Sequence, residues 1–338
     1  MTKFSVQNRL IWIDYAKFIG IYLVIIGHTP LNSSIINFIY TFHMPLFFLI
    51  SGYLHKQFSI GVIKHNIKSL LIPYILLYII YWIYPILKSI FTYTFSIQDI
   101  ILKPFWGMCI GNGYSGSFYT IFIVSLYFLI ALFWMRIMYH YFSYLSATLK
   151  ILIIFSCFLF IYVRQLFHWD FYFSIDCAIM AFPFYALGGY LKLKQISISE
   201  LNKRKKIFLF FACLCTTLIA CKENGRTDIN HCIYGNNIFI FYLAGICGSF
   251  MVIILSSLGK KLRFVEIISK GTILILAYGS VFVAFYDKLL PDTTFFNNYK
   301  YLFIGGIALC SMYPLIIIIL KYFPILMGKY NHSQSTHK

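Results

Sequence analysis

The stretch LLIPYILLYIIYWIYPIL, Leu70 to Leu87, runs without a single charged side chain. As a helix rising 1.5 Å per residue it would reach roughly 27 Å, close to the ~30 Å hydrocarbon core of a bilayer. Runs of this kind recur from one end of the chain to the other. Inside lipid only helices and closed barrels satisfy their own backbone hydrogen bonds, and a barrel needs an alternating polarity that these runs lack. Charged residues make up 11% of the chain, against about 25% in soluble domains, too few to cover a globule with a wetted surface. The expected fold class is an all-α polytopic membrane protein, a bundle of about ten transmembrane helices. Residues 1–338 form a single domain, with 320–338 a partly disordered tail.

Ten spans fit the hydropathy: 11–29, 35–54, 69–91, 117–136, 150–167, 171–191, 207–221, 238–258, 267–286 and 300–320. MTKFSVQNRL has no small-residue cleavage site after its apolar run and is read as the approach to a retained first helix. With the N-terminus in the cytoplasm, 20 of the 28 Lys and Arg residues fall in cytoplasmic segments, seven fall opposite and Lys17 lies within the membrane. That bias obeys the positive-inside rule and assigns both termini to the cytoplasm. The net charge of +18 is then mostly topological. NKRKK, Asn202 to Lys206, reads as an anchor against anionic membrane lipid rather than a nucleic-acid site. A basic cytoplasmic rim would also draw in a polyanionic substrate.

The nine cysteines are scattered, and no His/Cys spacing forms a zinc site. Isolated, reduced thiols are expected, with a Cys221–Cys232 disulfide across an outward-facing loop as the alternative. The polar segments Gln195–Lys206 and Lys222–Asn237 read as ordinary loops.

Ionisable residues within spans mark function or pairing, and the first two spans hold Asp14, Lys17, His28, His43 and Ser51. Lys17 and His28 are eleven residues apart, so they share a helix face about 16 Å apart along its axis. Asp14 stands one turn before Lys17, placed for an ion pair, though interface anchoring with a snorkelling lysine explains the two equally well. His43 lies well inside its span, two residues before Pro45, which frees a carbonyl and suits a wet cavity. Its structural alternative is a hydrogen bond to a neighbouring helix. Ser51 and Gly52 are read first as close-packing residues, with Ser51 also a candidate at the substrate. A neutral histidine removing a proton from an attacking alcohol, with a cation steadying the oxyanion, is the chemistry on offer. Arg9, Lys64 and Lys68 are candidates for holding donor phosphates. Asp176 is expected to pair with Lys17 or to line the cavity. HWD, His168 to Asp170, with Arg164 is a candidate group for a polar substrate through Trp169, set against an ordinary interfacial loop. GNGYSGSFY, Gly111 to Tyr119, reads as a flexible outer loop.

RLIWIDYAKFIGIYLVIIGHT followed by FIYTFHMPLFFLISGYL resembles the opening of the acyltransferase-3 family of integral-membrane O-acyltransferases, in particular its fucose 4-O-acetylase-like branch. The Asp-x-x-Lys pair, the basic residue eleven positions before a histidine, and FHMPLFFxxSGY carry the resemblance together. KHNIKSLLIPYIL, GSFYTIFIVSLYFL and AFPFYALGGYL extend it more diffusely. The resemblance implies about ten transmembrane helices and transfer of an acyl group, often from acetyl-CoA, to an extracytoplasmic or lipid-linked sugar. By position, His28 corresponds to the family's essential histidine, Lys17 to its basic partner and His43 to the histidine of the FHMP motif. Three departures stand out. Lysines occupy 64 and 68 where arginines are common, Phe118 replaces a tryptophan, and Tyr278 stands where many relatives carry a histidine.

The expectation is therefore an O-acetyltransferase of the bacterial inner membrane, with no permanently bound cofactor and an acyl-CoA as donor substrate. Its partners are that donor, a glycan or lipid-linked sugar acceptor and membrane lipid. Histidine, aspartate and broken helices near the midplane would equally suit an exporter or proton-coupled carrier, although no inverted repeat is visible. A membrane scaffold within a glycan-synthesis complex is the third reading.

Overall fold

The computed structural model describes residues 10–56, 61–91, 96–111, 124–195, 201–290 and 299–329. In chain order the helices are α1 (Ile11–Gly27), α2 (Ser33–Tyr53), α3 (Val62–Asn66), α4 (Ile72–Phe91), α5 (Lys103–Ile110), α6 (Tyr127–Ser143), α7 (Ala147–Phe167), α8 (Ile175–Leu193), α9 (Lys203–Asn224), α10 (Ile238–Ser256), α11 (Arg263–Lys270), α12 (Thr272–Leu289) and α13 (Lys300–Tyr322). Among the described residues no strand forms, and the backbone bridge Asp228–Ile233 stands isolated. Seven helical segments are long and apolar enough to cross a membrane: α2, the joined stretch 63–91, α7, α9, α10, α12 and α13. At 17 residues each, α1 and α6 fall short of that length, and α8 carries Asp176 and Lys192 near its ends.

Helix boundaries follow local chemistry. Asn32, Ser146, Asn202 and Asn237 cap α2, α7, α9 and α10, each side-chain oxygen accepting from a first-turn N–H, which satisfies donors the helix leaves orphaned. The span expected over 207–221 is longer, because Asn202 starts α9 at Lys203 and puts the KRKK cluster in its first turn. Between α3 and α4 the backbone passes through a π-helical turn, Ile67–Leu71. The expected span 117–136 overlaps residues 112–123, which lie outside the described set, as does most of the GNGYSGSFY loop; from Tyr127 onward that span is α6. The helix α5, not anticipated from hydropathy, tucks against α4 through Tyr74 and Tyr78, whose hydroxyls donate to the carbonyls of Met108 and Pro104.

The bundle is organised around α2, which packs on α8, α10 and α1. Both α2 and α10 are buried along most of their length, α7 and α9 along little of it. Phe155 on α7 and Phe208 on α9 are among the outward apolar side chains, a surface suited to lipid rather than water. Contact between α2 and α8 is made by glycine: a Cβ on Gly52 would meet the Tyr185 carbonyl oxygen at 1.9 Å, and one on Gly188 the Leu49 oxygen at 2.0 Å. Such small residues let membrane helices approach backbone to backbone. On the other flank of α2, Gly248 of α10 receives Phe42. The expectation that Gly52 serves close packing thus has a specific partner, Tyr185. After α13, residues Pro324–Met327 form a 3-10 turn that buries Met327.

Candidate functional site

Helix α1 connects two sets of cavities. At its C-terminal end His28 is the C-cap residue, and it faces a cavity of about 60 Å³ that it lines together with His43 and Tyr40 of α2. The Tyr40 hydroxyl lies 3.0 Å from His28 Nδ1, and the Tyr40 ring stands edge-on to the His43 ring at 4.9 Å. His43 is buried, and its Nδ1 lies 2.8 Å from the Ile39 carbonyl. A carbonyl only accepts, so Nδ1 carries the proton and a neutral His43 has its lone pair on Nε2. The imidazoles of His28 and His43 and the Tyr40 phenol therefore share one small chamber.

The chamber is roofed by the loop between α9 and α10. Asp228 and Ile233 exchange backbone hydrogen bonds of 2.8 Å in both directions, closing a tight hairpin. Asn224 clamps its base, donating to the Tyr234 carbonyl at 2.6 Å and accepting from the Asn237 N–H at 2.7 Å. Gly235 sits at φ +82°, where a Cβ would strike the Asn224 carbonyl oxygen at 2.2 Å, so only glycine lets the chain turn there. The hairpin presents Asp228, Asn230 and His231 to the chamber, and Arg226 lies 5.7 Å above the Tyr40 ring. Asp228 accepts from the Asn230 N–H at 3.0 Å and stands 3.8 Å from His231 Nε2. Burial raises its carboxyl above the usual range, opposed by His231 and Arg226. Sequence reading took this segment for an ordinary loop, although the Asp-x-x-His spacing in RTDINHC was a usable signal.

At the other end of α1, Lys17 borders two adjoining cavities of about 800 and 720 Å³. Asp14 lines the first and accepts from the Ser269 hydroxyl at 2.7 Å; Ser51 lines the second. Around them stand Lys56, Lys192, Lys270 and Lys329, and His55, His65 and Arg136 line the second. Arg136 Nη1 donates to Ser69 at 2.9 Å, and His55 Nδ1 meets the Tyr185 hydroxyl at 2.8 Å. This vestibule has the size of a small-molecule site and a strongly cationic lining, the chemistry that holds phosphates. Leu276 of α12 lines both the 720 Å³ cavity and the histidine chamber, so the two meet across an apolar layer at that side chain.

Several expected site residues stand elsewhere. Arg9 lies outside the described residues. Lys64 and Lys68 are exposed and line neither vestibule cavity; their neighbours His65 and Ser69 line the second. Asp176 is not paired with Lys17 and does not line the cavity. Its Oδ2 accepts from Arg164 Nε and Nη2 at 3.3 and 3.0 Å, because α7 and α8 are joined by a short turn that brings residues twelve apart together. Arg164 also donates to Asp170 Oδ1 at 2.8 Å and to the His231 carbonyl at 3.2 Å, tying α7 and α8 to the hairpin. Trp169 is half exposed, stacks on Phe167 with centroids 5.3 Å apart and lines neither chamber nor vestibule. Tyr278, at the position where relatives carry histidine, donates to the Leu77 carbonyl at 2.9 Å.

Asp176, Cys177 and Cys232 bring potential ligand atoms within 4.8 Å of one another. Both carboxylate oxygens of Asp176 are occupied, Oδ2 by Arg164 and Oδ1 by the Cys177 N–H at 2.9 Å, and a guanidinium beside them disfavours a cation. The Cys232 sulfur faces Cys177 at 3.8 Å rather than Cys221.

No curated protein and no solved structure matches this chain significantly. The profile of one family, described as an acyltransferase domain, does match, over residues 10–322. That span runs from the start of α1 to the end of α13 and takes in both ends of the bundle, so the chain belongs to the acyltransferase-3 family.

Proposed function

We propose that this protein is a membrane O-acyltransferase that moves an acetyl group from cytoplasmic acetyl-CoA to a hydroxyl of a cell-surface or lipid-linked glycan. The observation that carries the reading is the meeting, at Leu276, of a cationic vestibule and a three-histidine chamber at opposite ends of α1. The membership of the family supplies acyl transfer; the two cavities supply a place for each substrate.

In this reading the chain crosses the bacterial inner membrane ten times, the shorter α1 and α6 and the charge-bearing α8 included, with both termini in the cytoplasm. The excess of Lys and Arg in the segments on the Lys17 side supports that orientation. The donor's phosphates bind in the vestibule to Lys17 and Lys56, with Arg136 and His65 also on its lining. Asp14, buried and accepting from the Ser269 hydroxyl, ties that end of α1 to α11. The pantetheine arm then extends toward Leu276, which matches the apolar character of that passage.

The acceptor enters from the hairpin side. His28 acts as general base, taking the proton of the acceptor hydroxyl as its oxygen attacks the acetyl carbonyl. Tyr40 orients the His28 ring through Nδ1. The tetrahedral oxyanion collapses with loss of the coenzyme A thiolate, which takes up a proton and leaves by the vestibule. A chamber of this volume admits reacting groups and not a whole sugar, so the rest of the acceptor lies outside, against the hairpin. The motif pattern resembles that of the fucose 4-O-acetylase-like branch, which modifies a sugar hydroxyl.

The test is transfer of labelled acetyl from acetyl-CoA to glycan in vesicles carrying the protein. Transfer lost on His28→Ala supports the assignment. Retained transfer by that variant removes His28 as base, and solute movement without transfer replaces the enzyme by a carrier.

A further inference from the structure

Acyl transfer makes no use of the paired thiols at Cys177 and Cys232. Cys177 is in the first turn of α8, and Cys232 lies in the hairpin with φ of 52°. Both are buried, and their sulfurs are 3.8 Å apart. Contacts that involve neither sulfur hold the two segments in register. Arg164 joins Asp176 to the His231 carbonyl, and the Asp228–Ile233 bridge closes the hairpin around Cys232. The Cys177 sulfur also lies 3.2 Å from the Asn230 carbonyl. Two thiols presented to each other in this way need an approach of roughly 1.8 Å to reach the bonding distance of about 2.05 Å. A metal ion is the other joint use of two sulfurs, and the occupied oxygens of Asp176 with the Arg164 guanidinium oppose it.

We propose that Cys177 and Cys232 are a modification site, oxidised to a disulfide that staples the hairpin 225–237 to the first turn of α8. The oxidant is an oxidised dithiol protein or small-molecule disulfide of the extracytoplasmic compartment. One cysteine thiolate attacks the carrier's disulfide and breaks it, forming a mixed disulfide. The second thiolate then attacks that bond from the protein side. The Cys177–Cys232 bond forms, and the carrier leaves as a dithiol with the two electrons and two protons given up by the cysteines. The exchange takes place before the hairpin docks, because docking buries both sulfurs.

The bond has a consequence for the chamber. Asp228, Asn230 and His231 reach it from the same hairpin, so the staple sets how they face His28. The proposal rests on the functional reading only in placing the hairpin outside the cytoplasm, where such oxidants act.

The test is differential alkylation. Membranes are dissolved in SDS with one alkylating reagent present, then reduced and treated with a second, isotopically distinct one. Cys177 and Cys232 are expected to carry the second label and the other cysteines the first. An unreduced digest should contain the two peptides joined, lighter by two hydrogens than their sum. Cys232→Ser should move Cys177 to the first label. First label on both cysteines of the unaltered protein overturns the proposal. So does a joined peptide linking Cys232 to Cys221, or zinc bound in equal amount and released with both thiols by a chelator. Acetyl transfer measured on the same membranes separates the two readings. Transfer without the bond overturns the disulfide alone, and the bond without transfer overturns the enzyme alone.

Discussion

The Tyr40 hydroxyl sits 3.0 Å from Nδ1 of His28, so the orientation of the family histidine is set by the second helix and not by the first. Removing that hydroxyl in Tyr40→Phe keeps the aromatic edge against His43 and deletes one hydrogen bond, worth about 1 kcal/mol. Acetyl transfer in vesicles should fall roughly fivefold through kcat, with KM for the donor little changed. His28→Ala, by contrast, should cost about 10²–10⁴ in rate, the range of a lost general base. A Tyr40→Phe protein as inactive as His28→Ala would assign the phenol a direct part in the chemistry.

Lys17 borders both vestibule cavities, whereas Lys64 and Lys68 border neither. Lys17→Gln should therefore raise KM for acetyl-CoA by about tenfold or more, the worth of one charge-assisted hydrogen bond. Lys64→Gln and Lys68→Gln should stay within about twofold, as exposed charges do. Initial rates at varied acetyl-CoA check this, and equal effects at all three positions would argue for a donor site at the surface.

Arg164 compensates a buried carboxylate. Arg164→Met leaves Asp176 buried beside no cation and should lower stability by about 3–5 kcal/mol. Adding Asp176→Leu should recover much of that loss, because a buried pair replaced by apolar side chains is often neutral. Thermal unfolding in detergent measures both. A double variant no better than the single would place the value of Arg164 in its bond to the His231 carbonyl.

Asp228 makes stability depend on pH. Burial raises its carboxyl in the folded protein, so the fold holds that proton more tightly than the unfolded chain does. Its contribution is complete below the unfolded pKa of about 4 and is lost as pH rises through the raised folded value. Asp228→Asn, neutral at every pH, should unfold at a higher temperature than the unaltered protein near neutrality, and the gap should close toward about pH 4. An Asp228→Asn protein that unfolds at a lower temperature than the unaltered protein near neutrality would mean that Arg226 and His231 outweigh burial.

Gly188→Ala would set a methyl group 2.0 Å from the Leu49 carbonyl oxygen. Backbone cannot rotate out of the way as a side chain can, so overpacking of about 1–3 kcal/mol follows. Gly306→Ala, with open space around it, is the matched control in the same unfolding measurement.

Residues near one another in the chain were the legible part of this protein. Helix period alone puts Lys17 and His28 on one face, and the apolar runs define the helices whose ends carry them. The sequence cannot announce that residue 228 will stand over residue 28, because that contact depends on how α9 and α10 pack beside α2. Asp176 illustrates the same limit at shorter range. Its cost in lipid was evident, but its partner was sought on α1, whereas the turn between α7 and α8 delivers Arg164 from twelve residues away. At Lys64 and Lys68 the family pattern drew attention to the charges. His65 and Ser69 are the residues that meet the vestibule, Ser69 from within the π-helical turn over Ile67–Leu71. A local departure of the backbone from α-helical pitch leaves no mark in hydropathy.

Leu276 is also a matter of insulation. Water-accessible hollows entering a membrane from both faces act as conductors, so the voltage across the bilayer falls mainly over the thin apolar layer where they meet. An elementary charge crossing that layer exchanges about 2.3 kcal/mol with the membrane per 100 mV, whereas an uncharged acetyl group exchanges nothing. In the proposed reaction acetyl transfer leaves a thiolate on the vestibule side of that layer and a proton on His28 on the chamber side, so the step is indifferent to the membrane voltage only where that proton passes Leu276 back to the thiolate.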